Sequence, residues 1–523
     1  MPEPLPARVD RLLAGGAPDR PALSYRDETL TYAQLADRVA RFAGGLYAGG
    51  VRRGDRVAVY AEKRPETVVA LLAASAVGAV FVPLNPLLRE RQVRQVLGDC
   101  APRVLVTTEQ RLATVEAALG PEGPVERVVT IGSDTWERWA TGEPMRNDAA
   151  DRVIDADPAA ILYTSGSTGG PKGVVVSHRN LLAGAESVAG YLGHTADDVL
   201  LGVLPLSFDA GLSQLTTALV AGAHLVLVNY LRPGEVVRLC ARHRVTGLTC
   251  VPPLWLQLAD ADWPEEATAS LRYFANTGGR LPLAALDALR RALPGAAPYL
   301  MYGLTEAFRS TYLDPAQVDR RPDSIGRAVP NAEILVVRPD GTPCEPYEHG
   351  ELVHRGALVA LGYWRDRERT ARRFRPVPGE PPAGRQETAV WSGDTVYRDE
   401  DGYLYFVGRA DDMIKTSGYR VSPTEVEEAA YATGLVGEAV ALGVPDERLG
   451  QRIALLVTAR ADAEVSVPAL TGALAGALPG YMVPRDIEVR TSLPRSVNGK
   501  FDRVALRASL RGTAPTTPQE VPC

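Results

Sequence analysis

The stretch Ile161 to Gly173, ILYTSGSTGGPKG, constrains this chain more than any other. An apolar, strand-like run opens into seven residues that are only Thr, Ser or Gly, then closes on Pro171 and Lys172. Glycines such as Gly166 and Gly169 let backbone N–H groups turn together toward an anion. The hydroxyls of Thr164, Ser165, Ser167 and Thr168 add donors, and Lys172 adds charge. The segment therefore reads as a phosphate cradle. A flexible Gly/Ser linker is the plain alternative, but a linker has no reason to follow an apolar strand and end on Pro-Lys-Gly. It is not a Walker loop, which needs Gly before the Lys and Ser or Thr after it, whereas Pro171 and Gly173 flank Lys172.

The surrounding text says what kind of fold carries the loop. Short β-rich runs, RVAVYA, AVFVPLN, RVLVTT, ERVVTI and HLVLVNY, alternate with helix-period stretches such as TYAQLADRVARFAGGLYAGG and the segment from Gly234 to His243. That alternation predicts layered α/β subdomains. From Pro330 the pattern changes to short strands with turn pairs, AEILVVRPDGTPC, GELVHRG and DGYLYFVG, a β-rich subdomain closing a large N-terminal domain over residues 1–408. Beyond it, Ser422-Pro423 with Glu425 predicts a helix start inside a small α+β C-terminal domain, 409–510. The Pro/Thr-rich segment 511–523 is expected to be a disordered tail.

Composition removes several function classes. Apolar residues make up 46% and charged residues 23% of 523, ordinary values for a globular protein and enough chain for two to four domains. The formal charge of -6, with no basic run interleaved with aromatics, disfavours nucleic acid. Five scattered cysteines never fall in CxxC spacing, so neither a disulfide framework nor a zinc site is read, and a reducing, cytoplasmic location is expected. His349 and His354 lack a completing ligand pattern and are expected to be solvated surface histidines. The amino terminus has no signal-peptide pattern. The longest uncharged run, Val68 to Leu84, reads as a buried helix entering a strand rather than a membrane span.

Six ordered blocks then point to one family. YTSGSTGGPKG resembles the signature of the adenylate-forming superfamily of acyl-CoA synthetases, amino-acid adenylation domains and luciferases. PLSFDAG (205–211), MYGLTEA (301–307), GELVHRG (350–356), the stretch from Trp391 to Glu427 and LPRSVNGKFDR (493–503) resemble further family blocks in the same order. The resemblance implies ATP and Mg2+ as cofactors, with Glu306 holding the metal and Thr305 meeting the α-phosphate. It implies that Tyr302 stacks on adenine, although a packed core tyrosine is its bland reading. Gly278, Gly279 and Arg280 would form the opposite wall, with Met301 and Gly303 beside them. Asp394 and Arg409 would reach the ribose. Lys500 resembles the family's catalytic lysine, Asp411 its hinge, and Lys415 and Gly418 the face of a mobile small domain turned toward the acceptor.

Asp209 resembles the aspartate that pairs the substrate ammonium in amino-acid adenylation domains, while a helix N-cap is the alternative. By the same likeness Ser213, Gly278, Met301, Arg309, Ser310 and Lys500 would line the substrate pocket. Arg309 is an unusual occupant, which could meet a substrate carboxylate, shorten the pocket or pair with Asp209. The blocks look most like stand-alone aminoacyl ligases of macrolactam polyketide pathways and exosortase-associated acyl-CoA ligases. The expected acceptor is a discrete acyl carrier protein supplying phosphopantetheine, through its thiol or the amine of a carrier-bound aminoacyl group. Basic docking candidates are Arg420, Arg452, Arg485, Arg495 and Arg503. An AMP-forming acyl-CoA ligase for a small or fatty acid is the alternative. Neither a nucleic-acid nor a membrane partner is expected.

Overall fold

A computed structural model describes residues 8–119, 123–145, 153–165, 171–379, 386–409, 412–416, 419–446, 448–460, 464–496 and 499–511. The chain is mixed α/β, with a large N-terminal and a small C-terminal domain. By spatial contact it divides into one compact unit of residues 1–281, 288–392 and 397–405 and a second of 282–287, 393–396 and 406–523.

Two sheets dominate the first unit. One has nine strands in the order 327–328, 311–313, 297–302, 273–276, 247–250, 199–202, 224–227, 21–25, 28–31. Its six central strands, from 297–302 to 21–25, are mutually parallel. The other has seven strands, 362–363, 171–177, 158–165, 80–84, 56–60, 104–107, 127–130. Strands buried on both faces need continuous apolar sequence. Val80–Leu84 and Val104–Thr107 are buried at every position. The uncharged run from Val68 does end a helix, Pro65–Ala76, and enter the first of these strands. Among the described residues no helix is long and apolar enough to cross a membrane.

Helix boundaries follow local chemistry. Thr31 and Gln34 form a reciprocal capping box for Tyr32–Ala48, and Leu35, Val39, Phe42 and Leu46 form its buried stripe. In the second unit the helix Pro423–Ala432 begins where Ser422-Pro423 predicts. The Ser422 hydroxyl, however, donates to the Val407 carbonyl instead of capping that helix. That unit holds a five-stranded sheet of 419–421, 414–416, 450–459 and 436–446, with 486–490 also on 450–459. The last helix is Arg503–Arg511, and the tail beyond it lies outside the described residues.

One buried cation ties the two large sheets together. Lys63, just past the strand Arg56–Tyr60, donates from Nζ to the carbonyls of Gly202 (2.8 Å) and Val203 (2.6 Å) at the end of the strand Val199–Gly202. Asn229 holds the Lys63 backbone at both its N–H and its carbonyl. Burial pulls the Lys63 ammonium down to about 7. With the folded value lowered, the unfolded chain binds more protons between about pH 7 and the ordinary lysine range, so Lys63's contribution to stability rises with pH there. Lys63→Met should remove that slope. The wild-type advantage in denaturant unfolding should grow by about 1.4 kcal/mol per pH unit in this window, and a pH-independent difference contradicts it.

Candidate active site

Parallel α/β sheets bind ligands beyond the carboxyl ends of their strands, where the strand order reverses. Here the chain goes from 199–202 to 224–227 on one side, then crosses to 247–250 on the other. The loops leaving these strand ends carry the motif residues. After Asn276 the turn contains Gly278 at φ +79°, and Asn276 Nδ2 donates to the Gly279 carbonyl (2.8 Å), with Arg280 partly exposed beyond it. The strand Ala297–Tyr302 ends on buried Met301 and half-buried Tyr302. A Cβ on Gly303 would lie 3.0 Å from the Phe308 carbonyl oxygen, so glycine there lets the short turn Thr305–Ala307 fold back, with Thr305 and Glu306 buried.

The strand Val199–Gly202 leads into PLSFDAG. A Cβ on Gly211 would stand 2.0 Å from the Pro205 carbonyl oxygen, so only glycine allows the helix Asp209–Ala221 to start this close to its own lead-in. Phe208 is the N-cap residue and makes no side-chain cap bond, which sets the capping alternative for Asp209 aside. Asp209 is the first helical residue, with its carboxylate at the positive end of the helix dipole. It is 4% exposed, and Arg309, 2% exposed, places a guanidinium nitrogen 3.5 Å from Asp209 Oδ2. Of the three uses open to Arg309, the structure has the internal pair. Phe308, at φ +56° and ψ -64°, turns the chain so that Arg309 points inward. A bulky residue seldom takes that conformation, and such strain concentrates at functional sites. The Phe308 carbonyl also accepts from Arg309 Nη1 at 2.9 Å.

Beside this pair lies a cavity of about 20 Å³, lined among others by Ala210, Ser213, Met301 and Arg309. That is room for about one water-sized group. The structure thus brings Ser213, Met301 and Arg309 together at one cavity. Deeper in its wall, His194 Nε2 meets the Tyr273 hydroxyl (2.8 Å), and burial lowers that imidazole to about 4. Ser310 is fully buried, and its hydroxyl meets His354 Nδ1 at 2.9 Å. This corrects the surface assignment of His354: it is fully buried, and burial holds it down to about 3, in the neutral form. His349 is exposed and stacks on Tyr397.

A second cluster surrounds Glu306. The Tyr363 hydroxyl donates to Glu306 Oε1 at 2.5 Å, and Arg373 Nε lies 3.9 Å from the same oxygen. Lys172 Nζ sits 5.9 Å from the centre of the Tyr363 ring, within cation–π range. Burial, reinforced by the Glu306 charge, raises the Tyr363 phenol far above its ordinary value, so it stays a donor. Thr164 and Lys172 face each other in register on the antiparallel strands Pro158–Ser165 and Pro171–Ser177. Gly166, Ser167, Thr168 and Gly169 between them lie outside the described residues, as does the Ser165 side chain.

The second unit holds the remaining motif residues. Asp394 and Arg409 form an ion pair at 3.4 Å. Lys500 is exposed on a tight turn closed by Ser496 N–H to its carbonyl (2.7 Å), with Gly499 at φ +78°. Asp411, Gly418 and the Lys415 side chain lie outside the described residues, as does the Arg420 side chain. Among the docking candidates Arg503 is structural: it donates to Glu427 (2.6 Å) and to the Ala441 carbonyl (2.8 Å). Arg495 pairs with Glu438 and Arg452 with Asp486, whereas Arg485 is exposed.

The AMP-binding enzyme family model matches residues 13–364, and the model of the AMP-binding enzyme C-terminal domain matches 425–500. The chain belongs to the AMP-binding enzyme family. As such it is an adenylate-forming ligase that uses ATP. It is 36% identical to the L-proline–[L-prolyl-carrier protein] ligase of Streptomyces coelicolor, over 95% of both chains. It is 33% identical to a linear gramicidin synthase polypeptide of Brevibacillus parabrevis, a match that covers 95% of this chain but only 6% of that much longer protein. It is also 33% identical to a feruloyl-CoA synthase of Amycolatopsis, over 93% of this chain and 95% of that one. The ATP-bound crystal structure of MatB from Rhodopseudomonas palustris superposes with a TM-score of 0.86 at 28% identity, covering 96% of this chain and 99% of the other.

Within this AMP-binding enzyme, Tyr363 and Arg373 are neighbours of Glu306 that motif reading misses. The only local hint is the pair Gly362-Tyr363 after the GELVHRG block, because Glu306 is 57 residues away. Tyr363→Phe should raise the KM for ATP at least about tenfold, since a hydrogen bond to a charged group is worth about 1.5–3 kcal/mol. Circular dichroism should be unchanged. An unaltered KM in a folded variant contradicts this reading of the contact.

Proposed function

We propose that the chain activates an amino acid as an aminoacyl-adenylate and hands the aminoacyl group to a discrete acyl carrier protein in natural-product biosynthesis, in a polyketide pathway. The observation that carries this reading is the buried Asp209 carboxylate at the head of its helix, paired with Arg309, which lines the cavity. A buried carboxylate calls for a cation. The likeness to the prolyl-carrier-protein ligase supports the carrier.

In the first half-reaction one carboxylate oxygen of the acid bonds to the α-phosphorus of ATP as the bridge to the β-phosphate breaks and pyrophosphate leaves. Thr164, Ser165, Gly166, Ser167, Thr168, Gly169 and Lys172 would hold the phosphates, Gly278 to Arg280 and Tyr302 the adenine, and Asp394 and Arg409 the ribose. Thr305 would meet the α-phosphate. Glu306 fits a hard cation such as Mg2+: it is a buried carboxylate, an all-oxygen donor, whose Oε1 is fixed by Tyr363. When bound, such an ion supplies charge neutralisation for the phosphates. Lys500 would stabilise the meeting of two negatively charged groups. In the second half-reaction the phosphopantetheine thiol, or a carrier-bound amine, attacks the acyl carbon and AMP leaves. A turn of the small domain about Asp411, presenting Lys415 and Gly418, would separate the two steps.

One observation favours a second reading, an acyl-CoA ligase for a small uncharged acid: Arg309 already neutralises Asp209. Pyrophosphate exchange over amino, aryl and fatty acids, followed by transfer to coenzyme A or to a carrier, separates the two. We expect amino-acid-dependent exchange and faster transfer to the carrier, slowed by salt; exchange confined to acids without an amine, with efficient transfer to coenzyme A, rejects the proposal. Lys500→Ala should lower adenylate formation by roughly two to three orders of magnitude while the fold is kept. Adenylation at the parental rate would rule out the role given to Lys500.

A further inference from the structure

The Asp209–Arg309 pair sets a charge balance that any substrate must respect. Both side chains are at least nine-tenths buried, and within the pair one negative and one positive charge sum to zero. Bringing in an ammonium alone would leave a buried surplus of one positive charge, which a low-dielectric site penalises heavily. An acid without an amine keeps the balance by leaving the pair closed. An ammonium accompanied by a second carboxylate keeps it by opening the pair, each new charge meeting its opposite.

The geometry favours opening. The contact is long, 3.5 Å, at the outer limit of a hydrogen bond. Arg309 Nε is buried with no hydrogen-bond partner among the described residues. A guanidinium matches a carboxylate with two parallel N–H bonds, and an unused Nε beside a cavity offers that second donor. The cavity wall is not an apolar tube: Ser213, Gln214 and Thr249 line it with Arg309.

We propose that the activated acid is an amino-dicarboxylic acid whose ammonium binds Asp209 and whose second carboxylate binds Arg309. This rests on the amino-acid reading above and narrows it. Because the two side chains abut, the amine and the free carboxylate must sit on the same carbon or on neighbouring ones, as in aspartate and glutamate. The remaining carboxylate takes the adenylate.

The test is pyrophosphate exchange by the full chain with both enantiomers of aspartate and glutamate, with alanine, β-alanine, valine and proline, and with the amine-free acids succinate and glutarate. We expect an amino-dicarboxylic acid to exceed every mono-acid and every amine-free acid in kcat/KM by at least about 100-fold. Arg309→Leu should lose that preference at an unchanged KM for ATP, and Arg309→Lys should recover part of it. If either variant fails to fold, the wild-type ranking alone decides. A preference for a monocarboxylic amino acid overturns this inference and leaves the amino-acid reading standing. A preference for succinate, glutarate or another acid without an amine overturns both. No turnover with either aspartate or glutamate overturns the inference.

Discussion

The buried ion pair between Asp209 and Arg309 is the constraint around which the pocket is arranged. Removing two charges from water costs several kcal/mol each, and the attraction recovers this only with good geometry and further hydrogen bonds. The neighbourhood supplies part of both. The helix Asp209–Ala221 presents its positive end to the carboxylate, and the Phe308 carbonyl accepts from the guanidinium. The pair in turn explains local features that cost stability. Phe308 is held at positive φ, Gly211 sits where any side chain would collide with backbone, and a Cβ on Gly303 would make a tight 3.0 Å contact. A protein gains little stability from such an arrangement, since apolar residues of similar volume serve as well. On the proposed reading, what it gains instead is a pocket that discriminates by charge.

Much of the framework could be read before any coordinates. The strands Arg56–Tyr60, Val80–Leu84 and Val104–Thr107 are apolar but for the terminal Arg56 and Thr107 because they are covered on both faces, and a short apolar run between turn residues is a strong local signal. Asp209 could be singled out because its motif is local. The partner of Arg309 could not, because a long guanidinium reaches in several directions and only the backbone turn at Phe308 selects one.

Contacts between distant segments left the weakest trace. Tyr363 reaches Glu306 from a two-residue strand, and Lys63 bridges two sheets that are far apart in the chain. His354 is expected at the surface because no ligand pattern in the sequence completes around it. Strand alternation nevertheless puts it on the same face as Leu352, and that period-two pattern points inward. The phosphate loop is the reverse case. Its chemistry is plain in the sequence, while the conformation of residues 166–170 lies outside the described residues.

Substrate entry by separation of Asp209 from Arg309 is the central claim, and the most direct measurement is a crystal structure with a bound, non-hydrolysable aspartyl-adenylate analogue. We predict the analogue's ammonium within hydrogen-bonding distance of Asp209, its free carboxylate on Arg309 through two nitrogens, and the two side chains no longer in contact. An intact Asp209–Arg309 pair, with the acyl group bound elsewhere in the pocket, would contradict it.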